Sequence, residues 1–350
     1  MSSLELSGMD LGQLRQQMLE WQQPAYRAGQ LYGWIYKSLV ADYSAMHNLP
    51  AGLRAQLAAS ASWPLLQVVE TLDAADGSST KALLRAADGQ TIETVILRYP
   101  ERNTVCISSQ VGCALGCVLC ATGQAGFIRD LSAGEMVAQV LYAARALRQE
   151  GRQLTNVVLM GMGEPLLNYE AACQALNIIM DPAGLGMGAR RITLSTAGVV
   201  PGIRRLAEDN LGIKLAISLH APNDTLRAQL IPLNRKYPLA SVIAAVHEFI
   251  SKTSRRVTFE YVMVDGINDS PALAYETAEL LRGLFCHVNL IGLYPTERSA
   301  WRGSSDEAIL DFQAVLLEAR IPTTIRVRRG EEITGGCGQL RFRELSDDDD

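Results

Sequence analysis

Three cysteines lie close together in the pattern C-x3-C-x2-C. Cys113, Cys117 and Cys120 fall within eight residues. Thiolates are soft ligands that suit zinc or an iron–sulfur cluster. A structural zinc site normally takes four protein ligands, but the nearest fourth candidate, Cys106, is seven residues upstream and no histidine is close. The triplet therefore favours a cubane cluster with one iron open to a small molecule over zinc or three packing thiols.

Glycines flank the triplet at Gly112, Gly116 and Gly123 and would let the backbone wrap tightly around a cluster. The chain has seven cysteines, and its N-terminus lacks the basic start and apolar core of a signal peptide. An odd count without an export signal argues against a disulfide framework. The sequence thus predicts free thiols in a reducing compartment, the cytoplasm. A membrane span is not expected, because the sequence has no run of about 18 apolar residues.

Net charge says little about partners. The chain carries a formal charge of −5, most of it in the acidic run at residues 347–350, which leaves a nearly neutral body. Pairs of arginines at 190–191, 204–205, 255–256 and 328–329 could form basic patches or a solvated surface. The charge balance therefore neither supports nor excludes a nucleic-acid partner.

The first part of the chain reads as a small helical domain. Residues 1–63 show apolar spacing of three and four at 9–22, 26–38 and 53–61, which predicts three helices. In residues 64–102, short β-like runs at 65–71, 81–85 and 90–98 are separated by Asp76-Gly77 and Asp88-Gly89. Asp-Gly pairs are typical of hairpin turns, so this segment is predicted to be a β-hairpin linker.

Strand-like and helical patterns alternate through residues 103–328. The predicted strands cover 105–109, 156–160, 192–195, 213–219, 257–264, 287–293 and 323–328, and the predicted helices cover 133–149, 169–180, 239–252, 272–284 and 307–320. Ser132 and Glu135 form a capping box at one helix start. This α/β alternation predicts a parallel sheet, with a partial (β/α) barrel favoured over a doubly wound open sheet. Residues 329–350 are predicted to be a flexible tail.

Several polar residues follow the predicted strands, where parallel barrels place their chemistry. Gly163 and Glu164 come after residues 156–160, Ser195 ends another run, and Ser218-Leu219-His220 ends a third. Taken singly, these are equally compatible with a tight turn or a structural histidine. Likewise Cys337 could be a tail thiol, Cys106 a core thiol, and Glu93 an exposed strand residue.

As an ordered set, these motifs resemble a known family. The cysteine triplet after the first barrel strand resembles the radical SAM superfamily, and the longer stretches resemble the RNA adenine methyltransferases of the RlmN/Cfr family. The matching stretches, from about residue 90 to 340, are CISSQVGC (106–113), CATG (120–123), MGMGEP (160–165), TLSTAG (193–198), SLHAPN (218–223), PLNRKY (232–237) and CGQL (337–340).

The resemblance implies a set of cofactor sites. Cys113, Cys117 and Cys120 would hold a 4Fe-4S cluster, and S-adenosyl-L-methionine (SAM) would bind beside it. The residues that the resemblance assigns to SAM are Gly163, Glu164, Ser195, Ser218, Leu219 and His220. A carboxylate with nearby carbonyls at Gly163 and Glu164 would suit the amino group of SAM.

The resemblance also implies a two-cysteine reaction that uses two SAM molecules per turnover. Cys337 takes a methyl group from one SAM, and the radical made from the second SAM removes a hydrogen from that methyl group. The carbon radical then adds to an electron-poor ring carbon of adenine, which could not attack SAM itself. Glu93 would be the proton acceptor, and Cys106 would release the product through a transient disulfide with Cys337.

The sequence departs from the family pattern at a few positions. Tyr294 stands where the family tends to have an asparagine that contacts SAM, and Thr334-Gly335-Gly336 replaces the usual segment before Cys337. Cys173 and Cys286 match no family role and are interpreted as packing residues.

We expect methylation at C2 of adenine in rRNA, tRNA or both, with the helical N-terminal domain gripping RNA and a flavodoxin-type electron donor. The alternatives are methylation at C8, as in the Cfr branch, a radical SAM enzyme with a non-RNA substrate, and a non-catalytic metal-binding module.

Overall fold

A computed structural model of the chain describes residues 4–63, 65–294, 301–326 and 339–341. It confirms the three N-terminal helices, which are α1 (Leu11–Glu20), α2 (Tyr26–Tyr36) and α3 (Ala51–Ser60). A capping box formed by Asp10 and Gln13 starts α1. The apolar faces of these helices, including Leu31, Ile35 and Leu57, belong to the same buried core as the rest of the molecule.

Residues 64–102 form more than a linker. They contain three antiparallel strands, β1 (Gln67–Asp73), β2 (Ser79–Arg85) and β3 (Thr91–Arg98). The two turns have Gly77 and Gly89 at positive φ, as the Asp-Gly pairs predicted. Because β3 also pairs with β4 (Asn103–Cys106), these strands extend the sheet of the following segment.

Strands and helices then alternate. The further strands are β5 (Gln110–Gly112), β6 (Phe127–Asp130), β7 (Asn156–Leu159), β8 (Ile192–Thr196), β9 (Lys214–Ser218), β10 (Val257–Met263), β11 (Cys286–Gly292) and β12 (Thr323–Arg326). The further helices are α4 (Ala121–Gln124), α5 (Ala133–Gln149), α6 (Tyr169–Met180), α7 (Val200–Asp209), α8 (Asp224–Leu230), α9 (Leu239–Thr253), α10 (Pro271–Leu280) and α11 (Asp306–Glu318). The predicted capping box of Ser132 and Glu135 starts α5.

Ten strands form one sheet in the order β1-β2-β3-β4-β7-β8-β9-β10-β11-β12. Neighbours from β4 to β12 are parallel. Within the described residues, the edge strands β1 and β12 do not pair with each other, and this sheet with its helices is the predicted partial (β/α) barrel. Parallel strands place their C-terminal ends at one rim, which is where the predicted site residues follow β4, β7, β8 and β9.

Some elements were not predicted. The two-stranded ribbon of β5 and β6 and the helices α4 and α8 are short, so their local periodicity is weak. Tertiary contacts hold them: the Val118 N–H, for example, donates to the carbonyl of Leu230 at the end of α8. The ten-residue helix α7 was also not predicted, although its apolar residues do follow a helical period. In the described ranges, no helix is long and apolar enough to cross a membrane.

Candidate functional site

A cavity of about 360 Å³ opens where the parallel strands end. Most of the predicted site residues line it, namely Cys106, Cys113, Cys117, Cys120, Gly163, Glu164, Ser195, Ser218 and His220. The structure does not bring the side chains of Glu93 and Leu219 to this surface, and Cys337 lies outside the described residues. Site residues as far apart in sequence as Cys106 and His220, 114 positions, thus meet around one cavity.

The three cysteines sit on the loop between β5 and β6, and glycines make this loop tight. Gly112 has φ +77°, and a Cβ there would lie 1.9 Å from the carbonyl oxygen of Gly126. A Cβ on Gly123 would lie 2.8 Å from the backbone nitrogen of Cys117. The Cys113 N–H donates to the Gly126 carbonyl at 2.8 Å. The backbone of this loop therefore has no room for a side chain at Gly112 or Gly123.

The electrostatics of the three thiols fit a cluster. Burial raises the pKa of Cys113 to about 12, and the neighbouring Cys120 adds to that rise. Burial, Cys120 and Cys113 together raise the pKa of Cys117. Three thiolates crowded in a partly dry site need a cation, and iron would supply it.

The number of thiols in this loop bears on the metal that it could hold. Cys113, Cys117 and Cys120 are three ligands, and a closed structural zinc site takes four. In an iron–sulfur cubane each thiolate binds a different iron atom, so three thiolates can hold a cluster. The loop therefore fits an iron–sulfur cluster better than the zinc of a metal-binding module.

Glu164 follows β7 at the cavity wall and is almost fully buried. Its carboxylate accepts hydrogen bonds from the backbone N–H groups of Ala197 at 2.7 Å and Leu166 at 3.1 Å. Burial raises the pKa of Glu164 to about 7, although both amides favour the ionised form. A cationic ligand group in the cavity would therefore find a carboxylate whose charge it can stabilise.

Gly163 allows this arrangement. It has φ +97°, and a Cβ there would lie 2.5 Å from the Cβ of Gln110. The side-chain oxygen of Gln110 in turn accepts a hydrogen bond from the Glu164 N–H at 2.8 Å. Glycine is thus required before Glu164 for both backbone conformation and space.

His220 is a neutral ring at the end of β9. Its Nδ1 accepts a hydrogen bond from the Val262 N–H at 3.1 Å, so the ring proton is on Nε2. Loss of water contact and the charge of Arg227 lower the pKa of His220 to about 3. The residue has φ +59°, a conformation held by a hydrogen bond from Asn268 to its carbonyl. The cavity thus has an uncharged donor that stays uncharged at physiological pH.

Leu219 acts differently from its neighbours. Its side chain is fully buried, its N–H donates to the Glu260 carbonyl, and its carbonyl accepts from Arg227. It therefore shapes the strand end, while Ser218 and His220 on either side line the cavity.

Cys106 reaches the cavity through strand register. Lys81 pairs with Val95, and Val95 pairs with Cys106, across β2, β3 and β4. Directly paired residues share a face of the sheet, and all three line the cavity. The predicted resolving thiol therefore lies on the same cavity as the cluster cysteines.

Glu93 lies two residues before Val95 on that face but one layer behind the surface. Its carboxylate contacts the Lys81 ammonium at 3.2 Å, and both side chains are almost fully buried. Its other oxygen accepts a hydrogen bond from the Arg341 N–H at 2.9 Å. Lys81 itself lines the cavity. Arg341, four positions after Cys337 in the sequence, is thus anchored on Glu93.

Sequence reasoning missed Glu260 on β10. It lines the cavity and is 6% exposed, and its Oε2 has no hydrogen-bond partner among the described residues. Its Oε1 accepts from Asn289 at 3.0 Å. Burial raises the pKa of Glu260. The signal was a lone acidic residue inside an otherwise apolar strand.

Comparison with known proteins identifies the family. Residues 107–278 match the Radical SAM superfamily, and residues 4–62 match the ribosomal RNA large subunit methyltransferase N-terminal domain. The chain is 46% identical over 97% of its length to a "Probable dual-specificity RNA methyltransferase RlmN" of Symbiobacterium thermophilum, covering 91% of that protein. A protein of the same name from Chloroflexus aurantiacus is 45% identical, with 95% and 92% covered.

The chain belongs to the RlmN family of radical SAM methyltransferases. A radical SAM methyltransferase from Sphaerobacter thermophilus has the same fold, with a TM-score of 0.94, 51% identity, and coverage of 95% of this chain and 98% of that one. Membership of the radical SAM superfamily brings a 4Fe-4S cluster and SAM as cofactors. The protein is therefore a transferase, and the resemblance read from the sequence is confirmed.

Proposed function

We propose that this RlmN-family enzyme methylates a ring carbon of adenine, with C2 favoured, in rRNA, tRNA or both. The methyl group would travel through a methylated Cys337, with Cys106 as the resolving thiol and Glu93 as the proton acceptor. The observation that carries this proposal is the place of Cys106, which lines the same cavity as Cys113, Cys117 and Cys120.

The cavity supports the proposed cofactor sites. Cys113, Cys117 and Cys120 would hold the cluster. A cluster bound there would supply the one-electron reduction on which radical SAM chemistry depends. The residues that would form the SAM site beside the cluster are Gly163, Glu164, Ser195, Ser218, Leu219 and His220. Two SAM molecules would be used per turnover. Glu164 would receive the SAM ammonium, and the His220 Nε2–H would donate to a neutral or anionic ligand atom.

The protein's own residues then handle the thiol and proton steps. The Cys337 thiolate would accept the methyl group, because sulfur attacks the methyl of SAM where an adenine carbon cannot. Glu93 would take the ring hydrogen as a proton once the new carbon bond has formed. The Cys106 thiolate would attack the Cys337 sulfur, and the bond from that sulfur to the methylene carbon on adenine would break. The methylene carbon would take the electron pair and a proton to become the methyl group of the product, and a Cys106–Cys337 disulfide would remain.

The partners follow from this chemistry. The relatives named as dual-specificity RNA methyltransferases support an RNA substrate of more than one kind. The N-terminal helices match a domain of a ribosomal RNA methyltransferase and would grip RNA by shape and phosphate contacts. A flavodoxin-type donor would reduce the cluster. Access to RNA and to this reductant would require the enzyme to work in the cytoplasm.

The test is to purify Cys106→Ala from cells and search for covalently bound RNA after denaturation. Without the resolving thiol, RNA should stay attached to Cys337. Cys173→Ala is the matched control, because Cys173 lies on α6 away from the cavity lining. The double variant Cys106→Ala/Cys337→Ala should carry no RNA.

The outcomes separate the parts of the proposal. A Cys106→Ala protein with full iron content and no adduct would contradict the two-cysteine route. Sequencing the trapped RNA would identify the substrate as rRNA or tRNA. Mass spectrometry of the modified base would distinguish C2 from C8.

A further inference from the structure

Arg227, on α8, is a fully buried arginine next to the candidate site. Its Nε donates to the carbonyl of Leu219 at 3.0 Å, and its Nη2 donates to the carbonyls of Ala197 at 2.7 Å and Ser218 at 2.8 Å. One guanidinium thus joins the ends of β8 and β9, the strands that carry Ser195 and Ser218 to the cavity.

The positive charge of Arg227 has no ion-pair partner within the described residues. Its Nη1 donates to the amide oxygen of Asn234 at 2.8 Å, so the guanidinium donates only to neutral acceptors among the described residues. The charge of Asp224 acts on Arg227, but the Asp224 carboxylate accepts its hydrogen bonds from Asn234 and from the Leu239 N–H instead. A desolvated cation among neutral dipoles is costly unless a negative charge lies near.

The cluster loop is where that negative charge would be. The Val118 N–H donates to the Leu230 carbonyl at 3.2 Å, which fastens the loop to α8. Leu230 and Ile231 form a small apolar core with Ala197 and Ala221, and Leu115, Cys117 and Leu119 pack against it. Burial raises the pKa of the Cys117 thiol, while the Arg227 charge acts on it in the opposite direction.

We propose that Arg227 is a built-in counter-charge for the cluster, which raises its reduction potential and so favours entry of the electron. A cubane held by three thiolates carries one net negative charge when oxidised and two when reduced. A fixed buried cation stabilises the reduced state more, because Coulomb attraction grows with the charge and is weakly screened there. One electron enters from the donor, and Arg227 stays protonated throughout.

This inference rests on the proposed cluster ligands. Because the hydrogen bonds of Arg227 also hold the strand ends, it is a positioning residue as well, and the experiment must separate charge from shape. Arg227→Lys keeps the charge and loses the fork of donors. Arg227→Gln loses the charge and keeps an amide donor. The difference between these two variants isolates the charge.

The test is the midpoint potential of the reconstituted cluster, measured by redox titration with electron paramagnetic resonance detection. We expect Arg227→Gln to shift the midpoint to more negative values and Arg227→Lys to stay close to the unaltered protein. Arg204→Gln, at an exposed ion pair with Glu248, is the control for a generic loss of charge. Equal midpoints in the Gln and Lys variants, at full iron content, would overturn the inference.

Exchanging the side chains of Asp224 and Asn234 tests the same inference without changing Arg227, in case the Arg227 variants do not fold. In Asp224→Asn/Asn234→Asp, the carboxylate moves onto the guanidinium while net charge and side-chain sizes stay the same. The new pair should neutralise Arg227 and again lower the midpoint, and an unchanged midpoint would contradict the counter-charge. Failure of every variant and of the unaltered protein to bind iron would instead reject the proposed ligands.

Discussion

At the residue scale, burial shifts the pKa values of Glu164 and His220 in opposite directions. Burial disfavours the charged form of each side chain, so it raises the pKa of the acid to about 7 and lowers that of the base to about 3. Near pH 7 the imidazole is therefore neutral and Glu164 is poised between two forms. A cation bound beside Glu164 would favour the carboxylate, and so SAM would bind with release of a proton.

Glu164 should also make the cluster-free protein less stable as pH rises. Its folded pKa, about 7, is above the ordinary value of 4.5, so between these values the folded state holds a proton that the unfolded state has lost. The stability that comes from this extra affinity for a proton is fully present below pH 4.5 and is lost as the pH rises through 7. The unfolding free energy should fall by roughly 3 kcal/mol at most over this range.

Urea unfolding of the unaltered protein and Glu164→Gln at pH 5 and pH 8 measures this effect. Glutamine does not titrate, so the quantity to compare is the difference in unfolding free energy between the two proteins at each pH. Relative to Glu164→Gln, the unaltered protein should be more stable at pH 5 than at pH 8. Parallel pH dependences would show that Glu164 does not have a raised pKa.

At the element scale, four strands place polar residues in one layer inside the barrel. Ser218 on β9 pairs with Glu260 on β10, Glu260 pairs with Asn289 on β11, and Asn289 pairs with Thr324 on β12. Directly paired residues share a face, so this layer faces the barrel interior, where Ser218 and Glu260 line the cavity. Barrel interiors are usually apolar, and among the described residues the Oε2 of Glu260 has no hydrogen-bond partner.

We predict that Glu260 accepts a hydrogen bond from a hydroxyl or amino group of SAM. Glu260→Gln should weaken SAM binding about tenfold, the value of one hydrogen bond to a charged group. The same change should leave the stability of the SAM-free protein equal or about 1 kcal/mol higher, because it removes a buried charge whose cost Arg326 offsets only in part.

Calorimetric titration with SAM and urea unfolding check the two halves of this prediction. Glu318→Gln, at an exposed position on α11, is the control and should change neither quantity. Unchanged SAM affinity in Glu260→Gln would show that the layer is structural only.

At the scale of the whole molecule, the N-terminal helices are packed onto the barrel. Gly8 and Gly134 touch through their backbones, the Ser7 hydroxyl donates to the Gly134 carbonyl, and the Gln174 amide donates to the Gly8 carbonyl. The Tyr32 hydroxyl bonds to Asp181 at 2.9 Å. A domain proposed to grip RNA is therefore held in a set position relative to the cavity.

Gly8→Ala should loosen this contact. A Cβ at Gly8 would lie 2.8 Å from the backbone nitrogen of Gly134, and backbone cannot move aside cheaply, so we expect a loss of about 1–3 kcal/mol in unfolding free energy. Gly29→Ala is the control: it lies inside α2 with nothing within 4 Å, and helix propensity predicts a gain of up to about 1 kcal/mol. Equal effects in urea unfolding would contradict the close contact.

The alternation of elements could be predicted because it depends on local periodicity. Helices such as α5, with its capping box at Ser132, and strands such as β10 are long enough for apolar spacing to identify them. The ribbon of β5 and β6 and the short helix α8 could not be predicted, because contacts from distant segments hold them.

The sequence by itself determined the chemistry: the spacing of Cys113, Cys117 and Cys120, and the order of motifs that identified the family. Only the tertiary structure decided the environments of the site residues. It placed Cys106 on the cavity, set Glu93 against Lys81, and buried the side chains of Glu260 and Arg227. The physical reason is that burial and charge pairing depend on which strands become neighbours and in which register. Pairing between strands that are far apart in sequence depends on how the buried faces pack together, so a local sequence pattern does not reveal it.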